Sequence, residues 1–261
     1  MTDGRRRYSP SRLKTYSACG YAHYLAKIER VPERQAVWFV QGTSVHEGIE
    51  AYERSSRTLP LGAAEEVFVA AWDRELAAAR EAQPDDEMWM VGGRKKLAAD
   101  IQTRFEIGRQ QVADYIERHT TQDDLQPAEL APAEPAVEVG FELDFGDFSV
   151  LGYIDCIMES RSTGALMPLD WKTGSKMPTD PYQLATYGIA ITELTGQPVE
   201  WAAYWDCLNN KLVRKDLKIY PKEMVGNWYR QLHNGIQAGS FLPNPGDCFT
   251  CTVRPSCIFG A

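Results

Sequence analysis

Apolar and polar positions follow two different rhythms along the chain. In residues 62–82 and 93–119, apolar residues recur at helical spacing among Ala, Glu, Gln and Arg, which predicts two long amphipathic helices. From residue 136 onward the pattern alternates. Two segments, AVEVGFELDF and FSVLGYIDCIME, are separated by Gly-Asp, and their alternation predicts a β-hairpin. The change of period predicts a helical first half and a strand-rich second half.

The second half continues with strand and helix patterns. A third strand is predicted in GALMPLDWKTG, and two more in PVEWAAYWDCL and KLVRKDLKIY. Asp180 and Pro181 occupy the positions expected at the start of a helix over DPYQLATYGIAITEL, and a final helix is predicted from about Pro221 to Ala238. This order of elements predicts an α/β fold with a central mixed β-sheet flanked by helices.

Start signals predict two further helices near the N-terminus. Ser9 or Ser11 has the position of a cap for a helix over residues 9–28. Ser44 and Glu47 have capping-box spacing, which predicts a helix beginning at Ser44. His46 would then lie in the first turn of this helix.

Composition and charge narrow the class of protein. The chain has 261 residues, 44% of them hydrophobic, which fits one large domain or a core with a helical insert. No apolar run approaches the roughly 20 residues that span a bilayer, and no secretory h-region follows the Arg-rich start. We therefore expect a cytoplasmic protein without a membrane partner. In that compartment, the six cysteines are expected to be ligands or core residues rather than disulfides.

The net charge of −8 is unevenly distributed. Residues 1–34 carry eight Lys/Arg and three acids, which indicates either a solvated tail or an arm that contacts phosphates. Residues 120–147 carry eight acids and no Lys or Arg. Within that acidic region, the proline-containing stretch 121–135 is predicted to be a linker or surface crossing.

Candidate chemistry lies on the second and third predicted strands. Asp155 ends the GYID segment, and Asp170 and Lys172 share one face of the third strand because residues i and i+2 do. With His46, these carboxylates would form a hard oxygen and nitrogen site suited to Mg²⁺ or Mn²⁺. Glu138 on the preceding strand is a weaker acidic candidate. Taken singly, each of these residues is more often structural.

The C-terminal segment CFTCTVRPSC places Cys248, Cys251 and Cys257 at C-x2-C-x5-C spacing. This set is one ligand short of a four-cysteine site, and spacing alone leaves zinc and an iron–sulfur cluster open. Cys156 and Cys207 lie within strand patterns and are expected to be buried apolar residues.

Four motifs follow one another in a recognisable order, namely GTSVHEGIE, GYIDCI, LDWKTG and YQLATYG, after the segment SPSRLKTYSACGYAHYL. In this order they resemble the RecB-type branch of the PD-(D/E)XK nucleases. The resemblance extends from about residue 9 to residue 257 and is weak in region 60–130. It implies a restriction-endonuclease-like core and a metal-dependent DNA nuclease, either an exonuclease or an endonuclease. A preference for single-stranded DNA or DNA ends is predicted from the basic N-terminal region and from aromatic residues that could stack on bases or pack in the core, namely Tyr16, Tyr21, Tyr24 and Trp38.

The resemblance also implies roles for individual residues. It assigns metal binding to three side chains and one backbone carbonyl, those of His46, Asp155, Asp170 and, for the carbonyl, Trp171. Lys172 would be the catalytic lysine. Gln183 and Tyr187 share one helix face and would orient that lysine or the DNA backbone; packing in a helix–sheet core is the alternative for both.

Iron–sulfur members of this family have one cysteine in the N-terminal helix and three in a C-terminal C-x2-C-x5-C. Cys19 matches the first position, so the resemblance implies that it joins Cys248, Cys251 and Cys257 on a [4Fe–4S] cluster that links the two ends of the chain. The expected plan is a single nuclease domain with three regions: a helical insert at 60–120, a catalytic sheet core at 136–220, and a cluster region at 1–30 plus 245–258.

Two alternatives to a nuclease remain at this point. A nuclease-derived binding or processing subunit without turnover would act as a partner of recombination or CRISPR adaptation proteins. A zinc-stapled structural protein would require the motif order to be coincidental. The presence of both carboxylates together with Lys172 favours catalysis, because pure binding does not require that set.

Overall fold

The computed structural model describes residues 5–119 and 123–260, and their regular elements follow the two halves predicted from the sequence. The α-helices are α1 Pro10–Ala18, α2 Gly20–His23, α3 Val37–Arg54, α4 Leu61–Ala82, α5 Leu97–Arg118, α6 Tyr182–Thr195 and α7 Lys222–Gln237, with a π-helical segment at Tyr24–Glu29. The strands are β1 Arg6–Tyr8, β2 Leu125–Pro127, β3 Glu129–Ala131, β4 Glu134–Pro135, β5 Val137–Asp144, β6 Phe148–Ser160, β7 Leu166–Lys172, β8 Trp201–Asp206 and β9 Lys211–Asp216.

A mixed sheet forms the centre of the molecule. Its order is β1-β6-β7-β8-β9, and β2 and β5 also pair with the long strand β6. The pairs β1·β6 and β7·β8 are parallel, whereas β5·β6, β6·β7 and β8·β9 are antiparallel. The predicted hairpin, the third strand and the α/β class with a central mixed sheet flanked by helices are therefore confirmed.

Helices cover both faces of the sheet, because its central strands are apolar on both sides. Leu169 and Trp171 of β7 belong to the core that packs against α3, α4 and α5. Tyr204 of β8 belongs to the other core, which includes Leu184 of α6 and Tyr229 of α7. Side chains alternate along a strand, so Asp170 and Lys172 lie on the face opposite Trp171, as the sequence predicted.

The segment predicted as one helix over residues 9–28 is helical for most of its length but is not continuous, because it is interrupted at Cys19. Ser9 does cap α1, since its side chain accepts a hydrogen bond from Arg12 N. Cys19 is extended, with φ −157° and ψ 107°. At the break the C-terminal segment crosses closely: Tyr21 N donates to Leu242 O at 3.1 Å. The interruption therefore results from a contact between distant parts of the sequence.

The predicted start of the next helix at Ser44 is wrong. Helix α3 begins at Val37, without a side-chain cap, and His46 lies in its middle. The Ser44 hydroxyl donates to Val40 O at 2.8 Å and therefore acts within the helix instead of capping it. The longer helix buries Val37 and Val40.

The charged segments are more ordered than the sequence predicted. Residues of the basic start form β1, which pairs with Phe148–Val150, and Arg5 forms an ion pair with Asp144 at 2.8 Å. The predicted linker 121–135 contains the short strands β2, β3 and β4; its first two residues lie outside the described chain. Within the described ranges, no helix is both long and apolar enough to cross a membrane.

Candidate active site

Pairing of β6 with β7 brings the two candidate aspartates together. Cys156 lies opposite Leu169 in this antiparallel ladder, so the neighbouring positions Asp155 and Asp170 also face each other. Both side chains are buried, with Asp155 7% and Asp170 1% exposed. Trp171 N donates to Asp155 Oδ2 at 3.1 Å, which fixes one carboxylate against the backbone of the other strand.

Both carboxylate oxygens of Asp170 are buried and have no hydrogen-bond partner among the residues that the structure describes. Oδ2 nevertheless lies 2.5 Å from Lys172 Nζ, in an ion pair on one strand face. A buried carboxylate oxygen without a partner is energetically costly, so Oδ1, which lacks even an ion pair, marks a place where a cation or a donor is expected.

His46 of α3 reaches the same point from the other face of the sheet. Its Nε2 lies 2.7 Å from Trp171 O, and because a carbonyl only accepts, Nε2 carries the proton in this arrangement. Its Nδ1 lies 3.4 Å from Asp155 Oδ2. The three side chains and the Trp171 carbonyl that the sequence predicted as metal ligands thus lie around one location.

Burial disfavours charge on two of these groups. It raises the pKa of Asp155 well above its usual value, and the nearby Asp170 carboxylate raises it further. Burial also lowers the pKa of His46, which keeps the imidazole neutral. A bound cation would relieve the repulsion between the two carboxylates and would accept a neutral imidazole as a ligand.

A hydrogen-bonded chain holds the lysine from the α6 side. Lys172 Nζ donates to Gln183 Oε1 at 2.9 Å, and Gln183 Nε2 donates to Tyr187 Oη at 2.9 Å. Gln183 and Tyr187 lie one turn apart on α6. Sequence reasoning missed Tyr204, whose ring centroid lies 5.5 Å from Lys172 Nζ, because the parallel register of β7 and β8 carries no sequence signal.

Glu138 of β5 is the position opposite Asp155 across the β5·β6 ladder, between the pairs Val137–Cys156 and Val139–Ile154. Its backbone is left-handed, with φ 53°, which is unusual for a non-glycine residue inside a strand. Burial raises the pKa of Glu138, and Glu50 of α3 raises it further. This third carboxylate therefore lies at the edge of the same site.

Comparisons with known proteins agree with this arrangement of motifs. A family model described as the PD-(D/E)XK nuclease superfamily matches residues 7–258. The chain belongs to this superfamily.

Two phage proteins are similar over almost the whole chain. The Gene 69 protein of Mycobacterium phage L5 is 28% identical over 278 aligned positions, and that of Mycobacterium phage D29 is 30% identical over 261; each comparison covers 95% of both chains. A solved structure titled "Crystal structure of SSO0001" matches with a TM-score of 0.36 and 12% identity over 96% of both chains, which supports no conclusion about this one.

The ligand set fits the divalent ions, Mg²⁺ or Mn²⁺, that this nuclease superfamily typically uses. Carboxylate and carbonyl oxygens with one imidazole are hard donors, and the orphaned Asp170 Oδ1 has no other evident partner. Across residues 5–119 and 123–260, no three His, Cys, Asp or Glu side chains form a group that could hold a metal ion, so the fit at this site is one of donor chemistry and not of geometry.

The four cysteines predicted as cluster ligands line one cavity, although they come from opposite ends of the chain: Cys19, Cys248, Cys251 and Cys257. All four are free thiols. Burial raises the pKa of Cys251, and the three other cysteines also raise it, which reflects their proximity. Cys156 and Cys207 are fully buried in the sheet core, as predicted.

Backbone amides also reach the cysteine cavity. Cys19 Sγ accepts hydrogen bonds from Ala22 N at 3.4 Å and from Asn244 N at 3.3 Å. Amide donors to sulfur stabilise the thiolate form that a cluster or zinc ion requires. The chemistry of the donor set fits either group.

Proposed function

We propose that the chain is a metal-dependent DNA nuclease that hydrolyses phosphodiester bonds. The observation that carries this proposal is the buried pair Asp155 and Asp170, in which neither oxygen of Asp170 has a hydrogen-bond partner among the described residues and Lys172 lies beside Oδ2. Membership of a superfamily whose members generally hydrolyse phosphodiester bonds supports it.

Different residues would bind the metal ion, contact the reacting phosphate and position the lysine. The ligands for Mg²⁺ or Mn²⁺ would be His46, Asp155, Asp170 and the Trp171 carbonyl. When bound, the ion would activate water and neutralise charge on the phosphate. Lys172, positioned by Asp170 and Gln183, would place its ammonium group against the developing negative charge of the reacting phosphate. Tyr187 would fix the orientation of Gln183.

Cys19, Cys248, Cys251 and Cys257 would hold a [4Fe–4S] cluster with a structural role. Its four ligands come from α1–α2 and from the segment after α7, so the cluster would fasten the chain's ends together. Their common cavity and the amide bonds to Cys19 support this assignment. Zinc is the alternative with the same donor set.

The substrate would be single-stranded DNA or DNA ends, cut as an exonuclease in recombination, repair or CRISPR-like DNA processing. A time course on end-labelled single-stranded and blunt duplex DNA, with Mg²⁺ or Mn²⁺, tests this. We expect metal-dependent cleavage that is lost in Lys172→Ala. DNA binding without any metal-dependent cleavage would instead indicate a processing subunit without turnover and would refute the nuclease proposal.

A further inference from the structure

An exposed aromatic side chain lies at the start of α3, on the same helix as His46. Phe39 is 44% exposed. Its ring packs edge-on against the neighbouring Trp38, with centroids 5.8 Å apart. An exposed ring braced in this way presents a flat apolar face to solvent, which is the geometry on which a nucleic-acid base can stack.

A buried polar chain fixes this aromatic pair relative to the candidate active site. The guanidinium of Arg104 lies over Trp38, 5.7 Å from its ring centroid, and donates to Gln41 Oε1 at 3.0 Å. Gln41 Nε2 donates to Gln111 Oε1 at 2.8 Å, and Gln111 Nε2 donates to Thr173 O at 3.0 Å. Thr173 directly follows Lys172, so hydrogen bonds run from Arg104, which contacts the ring of Trp38, to the residue after the catalytic lysine candidate.

A basic loop lies beside the aromatic pair. Met90 N donates to Gln35 O at 2.8 Å, which ties the loop to the residues preceding α3. The exposed residues Arg94, Lys95 and Lys96 follow. Earlier in the same loop lie three exposed acids, Asp85, Asp86 and Glu87, of which Asp86 pairs with Arg80. Between residues 88 and 104 the single acid, Asp100, is buried and paired with Arg104, so the positive charge available to a phosphate backbone is concentrated where the loop enters α5.

The distance between Phe39 and His46 along α3 corresponds to a short stretch of single-stranded DNA. Phe39 and His46 are seven residues apart, which places them on one helix face about 10 Å from each other. At about 3.4 Å per stacked nucleotide, this corresponds to about three nucleotides. Bases in a duplex are paired and stacked inside, so only an unpaired strand could place a base on Phe39.

We infer that Trp38, Phe39, Arg94, Lys95 and Lys96 form a binding subsite for single-stranded DNA, called here the basic–aromatic surface. It holds the strand about three nucleotides from the cleavage position, with a base on Phe39 and phosphates on the loop. This inference rests on the proposed nuclease function, which defines the cleavage position, but DNA binding to the surface can be measured without cleavage.

The test is fluorescence anisotropy with a labelled oligothymidylate and, separately, a labelled blunt duplex, both in buffer without divalent ions. Phe39→Ala is expected to weaken oligothymidylate binding about 5- to 150-fold, as for loss of one stacked base. Arg94→Ala/Lys96→Ala is expected to reduce the salt slope by about 1.4, because each lost single-strand phosphate contact is worth about 0.7.

Matched controls exist at the other end of the sheet. Trp201 is 45% exposed and lies under the Lys218 ammonium at 5.6 Å, so Trp201→Ala removes a comparable aromatic group. Arg214→Ala/Lys215→Ala on β9 removes the same charges as the loop variant. Both controls are expected to bind oligothymidylate like the unmodified chain, and circular dichroism checks that all variants fold.

Unchanged oligothymidylate binding by folded Phe39→Ala and by the loop variant would overturn the inference. An equal loss on duplex DNA would also overturn it, because the surface would then be a duplex contact. If the unmodified chain binds as expected but never cleaves DNA, the nuclease proposal fails and the subsite stands. If it cleaves while these variants bind normally, only the subsite fails.

Discussion

Lys172 Nζ donates a 2.9 Å hydrogen bond to Gln183 Oε1, from the end of β7 to the first turn of α6. With the Asp170 carboxylate 2.5 Å away on its other side, the ammonium group has two fixed partners. A lysine side chain has considerable rotamer freedom, and these contacts restrict it to one position beside the buried carboxylates. Gln183 is therefore a positioning residue in the proposed nuclease.

Replacing Gln183 should reduce turnover more than substrate binding. We expect Gln183→Ala to lower kcat by about 10- to 100-fold with little change in KM, because a displaced catalytic group costs up to about 100-fold. Gln183→Glu keeps an oxygen acceptor for Lys172 and should recover part of the loss. Steady-state kinetics on end-labelled DNA measures both effects. A Gln183→Ala variant with unchanged kcat would contradict the positioning role.

Replacing Lys172 itself should abolish cleavage without unfolding the chain. Loss of a charge aimed at the reacting phosphate costs about 10²- to 10³-fold in kcat. Lys172→Ala and Asp170→Ala are the variants, and the control is Lys215→Ala on β9, at the edge of the sheet. Cleavage rates and circular dichroism melting are measured together. Normal turnover by Lys172→Ala would refute its catalytic assignment.

The carboxylate pair predicts a metal-dependent change in stability. Burial and the neighbouring Asp170 raise the pKa of Asp155, so its charged form is destabilising when no cation is bound. An ion that binds only the folded chain at 100 times its Kd adds about 2.7 kcal/mol. We expect Mn²⁺ to raise the Tm of the unmodified chain, and Asp155→Asn to lose this rise while melting no lower without metal. An equal Mn²⁺ shift in both chains would place the ion elsewhere.

Local patterns predicted the parts of the fold that depend on neighbouring residues. The two alternating segments around Gly-Asp predicted β5 and β6, because a tight turn and the strands beside it depend on neighbouring residues. The same alternation placed Asp170 and Lys172 on one face, opposite Trp171. The order of motifs then singled out residues whose approach to each other depends on pairing between strands.

The features of the fold that the sequence did not predict depend on contacts between distant segments. The break at Cys19 coincides with the crossing of Leu242, and Gly20 lies so close that a side chain there would come within 2.9 Å of Leu242 N. Strand β1 is short and basic, and it forms because β6 offers Phe148–Val150 as a parallel partner. The left-handed backbone of Glu138 has no signal in a regular alternating pattern.

A buried histidine predicts a decrease in stability at acidic pH. Burial, followed by the charge of Arg57, lowers the pKa of His119 to about 4. A histidine in the unfolded chain takes up a proton near pH 6.5, whereas the buried His119 does so only near pH 4. The free energy of unfolding is therefore highest above pH 6.5 and decreases as the pH falls toward 4, because protonation favours the unfolded chain. At pH 5 the loss is on the order of 2 kcal/mol.

The matched variant is His119→Gln, whose amide can still donate to the Tyr115 carbonyl that His119 Nδ1 contacts at 3.0 Å. Urea unfolding at pH 7.5 and at pH 5 gives the free energy of unfolding in each case. We expect the difference between the two pH values to be smaller in His119→Gln than in the unmodified chain. An identical difference would mean that His119 titrates normally in the folded state.

The cysteine cavity predicts a coloured protein whose colour depends on both ends of the chain. Prepared without oxygen, it should be brown and contain about four irons per chain. Cys19→Ser retains an oxygen that can accept the Ala22 and Asn244 amide bonds, so its loss of iron would report ligation rather than loss of those bonds. Cys248→Ser, Cys251→Ser and Cys257→Ser should lose iron as well.

The control for these variants is Cys156→Ser or Cys207→Ala, since both cysteines are buried in the sheet core and lie outside the cavity. Each control should keep the colour. A [4Fe–4S] group held by residues more than 220 positions apart constrains the unfolded chain strongly, so iron loss should also lower Tm. A colourless protein with one zinc per chain would mean that zinc, not a cluster, links the two ends of the chain. A metal-free protein whose Tm is the same as that of the cysteine variants would mean that no metal links them.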